Sequence, residues 1–179
     1  FVLITVWVYY FFRDPERKII EDEEYLVSPA DGVISAITEV NGPVELGLES
    51  MKFTRVSIFM NVFDCHVNRS PSTGEVEDIF YKPGKFLNAS LDKASEENER
   101  NYFKIKDKKT GDYIVVVQIA GLIARRIVTQ VSKMSTVTQG QRLGMIRFGS
   151  RVDVYYTQRK TMVKVGQNII AGESIVART

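Results

Sequence analysis

Val137-Thr138-Gln139-Gly140-Gln141 is echoed later in the chain by Val163-Lys164-Val165-Gly166-Gln167, and this echo decides how the fold is read. Each copy is followed by a second glycine, Gly144 or Gly172, and then by an isoleucine, Ile146 or Ile175. Glycine enters left-handed backbone angles without the steric cost other residues bear, so the pattern predicts short strands joined by tight turns. Outward from the echo, β-type patterns dominate. Arg55 to Val62 alternates Val56, Ile58, Met60 and Val62 against Ser57 and Asn61, as a half-buried strand does. Val33 to Val40, after the turn Pro29-Ala30-Asp31-Gly32, reads as a strand with imperfect alternation. Ile114 to Ile119 is an apolar run broken only by Gln118, and Leu143 to Tyr156 alternates again around Gly149-Ser150. Ala89 to Arg100 is helical in composition but has no clean apolar face, so a loop with a short helix fits equally well. The expected fold is mainly β (a β-rich α+β class) with a few short helices.

The chain of 179 residues suits one catalytic-size domain, and 44% hydrophobic with 26% charged residues sets it apart from disordered sequences. A net charge of +2 is too small to argue for nucleic acid as a partner. Cys65 is the only cysteine and His66 the only histidine, which excludes an internal disulfide and argues against a metal site of clustered ligands. Residues 1–12 are apolar or aromatic apart from Thr5, then give way to Arg13-Asp14-Pro15-Glu16-Arg17-Lys18. Twelve helical residues reach only about 18 Å, against a hydrocarbon core of about 30 Å. Residues 1–12 are therefore read as the later part of a truncated membrane-anchoring segment, ahead of a single domain over 13–179. Trp7, Tyr9 and Tyr10 suit an interfacial belt, and the cations that follow favour a cytoplasmic exit. The alternative is a hydrophobic first strand of the fold.

The paired V-x-x-G-Q turns, with Ser28-Pro29-Ala30-Asp31-Gly32 as an opening turn, resemble the two halves of lipoyl/biotinyl-type hammerhead barrel-sandwich folds. A more specific resemblance comes from four ordered segments. They are Ser28-Pro29-Ala30-Asp31-Gly32, Phe63-Asp64-Cys65-His66-Val67-Asn68-Arg69, Asn98-Glu99-Arg100, and Gly140 to Gly144 leading to Gly149-Ser150. Together with Phe12-Arg13-Asp14-Pro15, Pro83-Gly84-Lys85-Phe86 and Ala120 to Arg126, this set resembles phosphatidylserine decarboxylase proenzymes of the short bacterial form. The resemblance runs from about Phe11 to the C-terminus.

That resemblance implies a self-processing lipid decarboxylase at the inner membrane, its catalytic domain on the cytoplasmic side. Loss of CO₂ from an amino acid leaves a carbanion, so an electron sink is required. The chain has no recognisable pyridoxal-phosphate signature, and a pyruvoyl group made from Ser150 would fill that role. The resemblance implies that the Ser150 hydroxyl attacks the Gly149 carbonyl, shifting the acyl group from nitrogen to oxygen. β-Elimination then leaves dehydroalanine, which tautomerises and hydrolyses to pyruvoyl with loss of ammonia. Residues 1–149 become a β chain and residues 150–179 an α chain, which stay associated; a homo-oligomer is also compatible. The implied substrate is phosphatidylserine in a membrane, and the product phosphatidylethanolamine. An archaetidylserine decarboxylase of the same family is one alternative. A non-enzymatic lipoyl-like module, which would need Lys160 at a hairpin tip, is another.

Serine is a weak nucleophile at neutral pH and needs a base. His66 is the only side chain that ordinarily titrates there, and it occupies the family's Asp-x-His position near the pyruvoyl carbonyl and the substrate carboxylate. Longer bacterial relatives carry a second histidine where this chain has Arg69, and arginine is no general base at physiological pH. Either His66 takes both tasks, or self-cleavage leans on strain and on Asp31. Arg69 is then free to bind the substrate's carboxylate or phosphate. Asp31 would orient or activate the base, as in Asp–His–Ser triads. Asp64 competes for that role, since residues two apart on a strand share a face. Asn98 and Arg100 are implied as support near the site or as headgroup contacts. Arg125, Arg126 and Arg147 read either as ordinary surface charge or as charges that meet anionic lipid.

Overall fold

The computed structural model describes residues 1–85, 97–121, 126–147 and 150–179, with Ser150 described by its backbone alone. Most of the Ala89 to Arg100 segment, and Arg125, lie outside the described residues.

The alternation over Arg55 to Val62 builds a long strand, β3 (Lys52–Met60), in a mainly β architecture. Before it come the helix α1 (Val2–Phe11) and strands β1 (Tyr25–Val27) and β2 (Gly32–Asn41). After it follow β4 (Val67–Arg69), β5 (Gly74–Lys82), β6 (Arg100–Asp107), β7 (Tyr113–Ala120), β8 (Arg126–Thr129), β9 (Thr136–Val137) and β10 (Arg142–Arg147). The C-terminal strands are β11 (Ser150–Tyr156), β12 (Lys160–Thr161), β13 (Asn168–Ile169) and β14 (Ile175–Arg178). An eight-stranded antiparallel sheet runs β13-β2-β3-β11-β7-β6-β5-β9, and two three-stranded sheets run β1-β14-β12 and β4-β10-β8. The stretch Leu143 to Tyr156 thus supplies two strands in different sheets, and the chain changes sheet between Arg147 and Ser150.

The sheet order conceals a duplication. Ser28-Pro29-Ala30-Asp31-Gly32 has a structural mate in Ser70-Pro71-Ser72-Thr73-Gly74. The mates grip each other reciprocally: Val27 N–H donates to the Pro71 carbonyl at 3.0 Å, and Arg69 N–H to the Pro29 carbonyl at 2.9 Å. Ser28 Oγ donates to Ala30 O and Ser70 Oγ to Ser72 O, each at 2.7 Å. Gly172 N–H donates to Ser28 O and Gly140 N–H to Ser70 O, each at 2.8 Å. β2 shifts register between Ile34 and Ala36, and β5 between Val76 and Asp78, at matching places. One half is β4 to β10; the other is β1 to β3 continued by β11 to β14, so the first half is inserted into the second.

This corrects the reading of the V-x-x-G-Q echo. Its two turns do share a shape, because Gln141 Oε1 accepts from Thr138 N–H at 2.9 Å and Gln167 Oε1 from Lys164 N–H at 3.1 Å. They are not mates, however. Gly140 and Gly172, both at φ +78, are equivalent, and the mate of Gly166 is Met134, a non-glycine residue at φ 64. Ile19 fills the space beside both glycines; a Cβ on either would come to 2.5 Å of its Cδ1. Left-handed backbone and close approach together require glycine there.

The main core lies on one face of the long sheet, joining Ile58, Met60, Phe103, Val116, Val152 and Val154 to Leu26, Leu143, Ile146 and Val176 from the small sheets. A second cluster on the other face centres on Phe53, Tyr102, Val117 and Tyr155. Burial of such side chains is worth roughly 1.5–3 kcal/mol each and drives closure of both layers. The C-terminal strands are further tied by a buried ion pair, Arg159 Nη2 to Asp107 Oδ2 at 2.8 Å, with side chains 2% and 3% exposed. Asp107→Ala strands that guanidinium with, among the described residues, one weak hydrogen bond, to Glu24 O at 3.5 Å. It is expected to destabilise the fold by about 3–5 kcal/mol, read as a lower denaturant midpoint at unchanged slope.

Residues 2–11 form a helix and not a first strand. Phe11 is buried, while Val2, Leu3, Ile4, Val6, Tyr9 and Phe12 are exposed. No helix among the described residues is long and apolar enough to cross a membrane. From Arg13 the chain runs as a strap across the domain. Lys18 N–H donates to Glu173 Oε1 at 2.9 Å, and Ile20 N–H to Gly172 O at 3.3 Å.

Candidate active site

The two seams where the inserted half begins and ends lie together. At the first, β3 ends at Met60 and a turn over Asn61 to Cys65 delivers His66 to the start of β4. At the second, β10 ends at Arg147 and β11 starts at Ser150. The seams are stitched by Ile146 N–H donating to His66 O at 3.3 Å. Ser150 is paired through its backbone on both sides, to Met60 on β3 and to Ala120 on β7.

His66 is fully buried. Its Nδ1 lies 3.0 Å from the Asp64 carbonyl oxygen. A carbonyl only accepts, so Nδ1 carries the proton and Nε2 keeps a bare lone pair. Among the described residues nothing hydrogen-bonds that Nε2, although it is buried. Burial disfavours the imidazolium and pushes the pKa down to about 4; the bond to Asp64 O opposes this, and the Arg13 charge adds to it. At neutral pH the ring is therefore an uncharged proton acceptor with no hydrogen-bond partner at Nε2 among the described residues.

Neither carboxylate bonds to the imidazole. Asp64 contributes its backbone carbonyl, and its Oδ2 accepts from Asn61 N–H at 2.8 Å. The chain turns here and is not extended, so the shared face expected of a strand does not arise. Burial raises the Asp64 pKa first and the nearby Asp31 charge raises it further, while the Asn61 N–H and Arg13 pull it down. Asp31 is occupied on both oxygens, by Arg17 Nη2 at 2.6 Å and by Ala171 N–H at 2.8 Å. Arg69 is also spoken for: Nη1 donates to Gly140 O at 3.0 Å, and Nη2 to Pro15 O at 3.1 Å and Asp14 Oδ1 at 3.3 Å. It ties the strap to a turn of the domain.

Asn98 is buried and its Nδ2 donates to Ala120 O at 2.8 Å, bracing the residue paired with Ser150. Arg100, half-buried at the start of β6, reaches Tyr102 Oη at 3.4 Å. Arg126 and Arg147 are exposed and lie directly opposite each other on β8 and β10. Lys160 is paired with Arg178 within a strand.

Sequence reasoning missed an amide relay under the seam. Asn101 Nδ2 donates to Gln118 Oε1 at 3.2 Å, Gln118 Nε2 to Asn68 Oδ1 at 2.8 Å, and Asn68 Nδ2 approaches Met60 Sδ at 3.8 Å. Asn68, Asn101 and Gln118 are all buried, so each bond is needed to offset desolvation. Gln118, the one polar residue in an apolar run, was the available signal. Among the described residues no group of three or more His, Cys, Asp or Glu is placed to hold a metal ion.

Comparison with known proteins gives a consistent picture. The phosphatidylserine decarboxylase family model matches residues 4–177. The phosphatidylserine decarboxylase proenzyme of Pelagibacter ubique is 64% identical over 177 residues, covering 99% of this chain and 82% of that protein. Proenzymes of the same name from Ruegeria pomeroyi and Cereibacter sphaeroides are each 54% identical, covering 97% and 98% of this chain and 80% and 76% of those proteins.

Proposed function

The chain belongs to the phosphatidylserine decarboxylase family, and from that premise we propose that it cuts itself between Gly149 and Ser150 and then decarboxylates phosphatidylserine to phosphatidylethanolamine. His66 is the base that prepares Ser150. The observation that supports this reading is the buried Nε2 lone pair, unpartnered among the described residues, at the seam stitched to the strand that leads into Ser150. Its tautomer suits proton acceptance from a hydroxyl, and its low pKa keeps it deprotonated throughout the physiological range. A base this weak is a poor driving force, but self-cleavage is needed once per molecule, so a slow rate suffices.

Asp31, held by Arg17 and Ala171 N–H, is a positioning residue acting through the strap. Asn98 braces Ala120, Arg69 anchors the strap, and Arg100, half-buried at the start of β6, is assigned the headgroup contact. A pyruvoyl group at position 150 supplies the electron sink for CO₂ loss. A buried, uncharged imidazole whose Nε2 has no hydrogen-bond partner among the described residues fits its formation from a serine. After the cut, residues 150–179 stay bound, because β11 lies inside the long sheet between β3 and β7. The duplicated halves are read as those of a lipoyl/biotinyl-type barrel-sandwich. Residues 1–12 anchor the domain to the cytoplasmic side of the inner membrane, with Arg126 and Arg147 toward anionic lipid.

The test is intact-mass spectrometry of the expressed protein. It should show two chains split before residue 150, with one water gained and one ammonia lost overall. A split that gains water alone is plain hydrolysis and would overturn the pyruvoyl reading. A folded, unsplit chain with Ser150 intact would overturn self-processing.

A further inference from the structure

Ten residues make up α1, and only Phe11 is buried. It is fully inaccessible, whereas its neighbours Tyr10 and Phe12 are 47% and 40% exposed. Its ring lies on the His66 imidazole, centroids 4.4 Å apart and planes inclined by 37°. Trp7 packs behind it one turn earlier, at 5.8 Å. The foot of the helix is clamped by residues flanking His66 in sequence. Arg13 Nη2 donates to Phe63 O at 2.8 Å, and Cys65 Sγ donates to Arg13 O at 3.4 Å. The same guanidinium lies over the Tyr10 ring at 3.8 Å. An apolar helix exposed over most of its length thus buries its one inaccessible side chain against the domain, and that side chain covers the proposed base.

We propose that Phe11 is a positioning residue for His66, its ring sealing the imidazole from water and holding it in one rotamer, so that seating of α1 keeps the base neutral, and self-cleavage running, as pH falls. The inference rests on His66 being the base that prepares Ser150. A flat ring at this distance shields one face of the imidazole, and the Asp64 carbonyl fixes the opposite orientation through Nδ1. The charged and titratable groups facing His66 are Arg13 from the strap and Asp64 and Cys65 from its own turn, with Asp31 acting through Asp64. Among the described residues, β10 meets His66 through Ile146 and α1 through the Phe11 ring. Burial is the largest cause of the depressed pKa, so removing the cover should release it toward the ordinary value.

His66 is the chain's only histidine, so its ring proton resonance needs no assignment. The titration is done by NMR on the uncut Ser150→Ala chain in detergent micelles. The midpoint is expected at about 4 with Phe11 present, and displaced toward the usual 6.5 in Phe11→Ala. Phe11→Leu, which keeps an apolar plug without the flat ring, is expected between the two. In chains that retain Ser150, self-cleavage should follow: the neutral base is lost below the midpoint, so Phe11→Ala should slow as pH falls through 6.5 while the parent does not. A midpoint that stays put in Phe11→Ala overturns the proposal. Should the alanine variant not fold, an unmoved midpoint in Phe11→Leu overturns it equally. Unchanged cleavage in His66→Asn would remove the base and leave a Phe11-dependent midpoint standing, so the two failures are distinguishable.

Discussion

Ser150→Ala is expected to remain one chain of 179 residues and to release no CO₂ from phosphatidylserine. Each step proposed for processing needs the hydroxyl. Without it no ester forms from the Gly149 acyl group, and nothing can leave by β-elimination to generate a carbonyl. The loss should therefore be complete and not graded. It should also be clean, because position 150 is held through its backbone by Met60 and Ala120, and alanine can sustain both pairings. An unchanged melting curve of the uncut precursor would separate lost chemistry from lost fold. CO₂ release by this variant, or a cut at the same bond, would refute the serine-derived group outright.

The seam that holds this chemistry was only partly legible in the sequence. Strands with strong alternation, such as Arg55 to Val62, emerged close to where they were expected, because one buried face imposes period two. The duplication was not visible, although Ser28-Pro29 to Gly32 and Ser70-Pro71 to Gly74 spell it out in three shared residues. The inserted half hides it further, since Met134 takes the left-handed position that Gly166 fills in the other copy. The glycine signal therefore pointed to Gly140 and Gly166, two like-shaped turns that are not equivalent.

His66 could be singled out as the lone imidazole, but its partner could not. The Asp64 carboxylate is satisfied by Asn61 N–H within the turn, which leaves the carbonyl to orient the ring. Asp31 and Arg69 each take one partner from the strap, Arg17 for the first and Asp14 with Pro15 for the second, and another from a remote turn, Ala171 N–H and Gly140 O, which only the fold brings near. Phe11 read as one more residue of an apolar anchor, because composition cannot say which side of a helix meets the domain.

His66→Asn is the second change with a large expected effect. The asparagine amide can still donate to the Asp64 carbonyl, so the turn before β4 should persist, but the Nε2 lone pair is gone. Positioned proton transfer typically contributes about 10²–10⁴-fold, and the rate of precursor conversion, followed by intact mass, should fall by that order. The comparison that gives this force is Asp31→Asn. A triad in which Asp31 orients His66 predicts a comparable loss for both variants. The observed geometry predicts otherwise: Asp31 binds Arg17 and Ala171 N–H, so its amide should cost stability of the strap more than rate. Equal rates of conversion for His66→Asn and the parent would remove the imidazole as base. Equal losses for the His66 and Asp31 variants would mean that the carboxylate leaves Arg17 and joins His66 before the bond is cut.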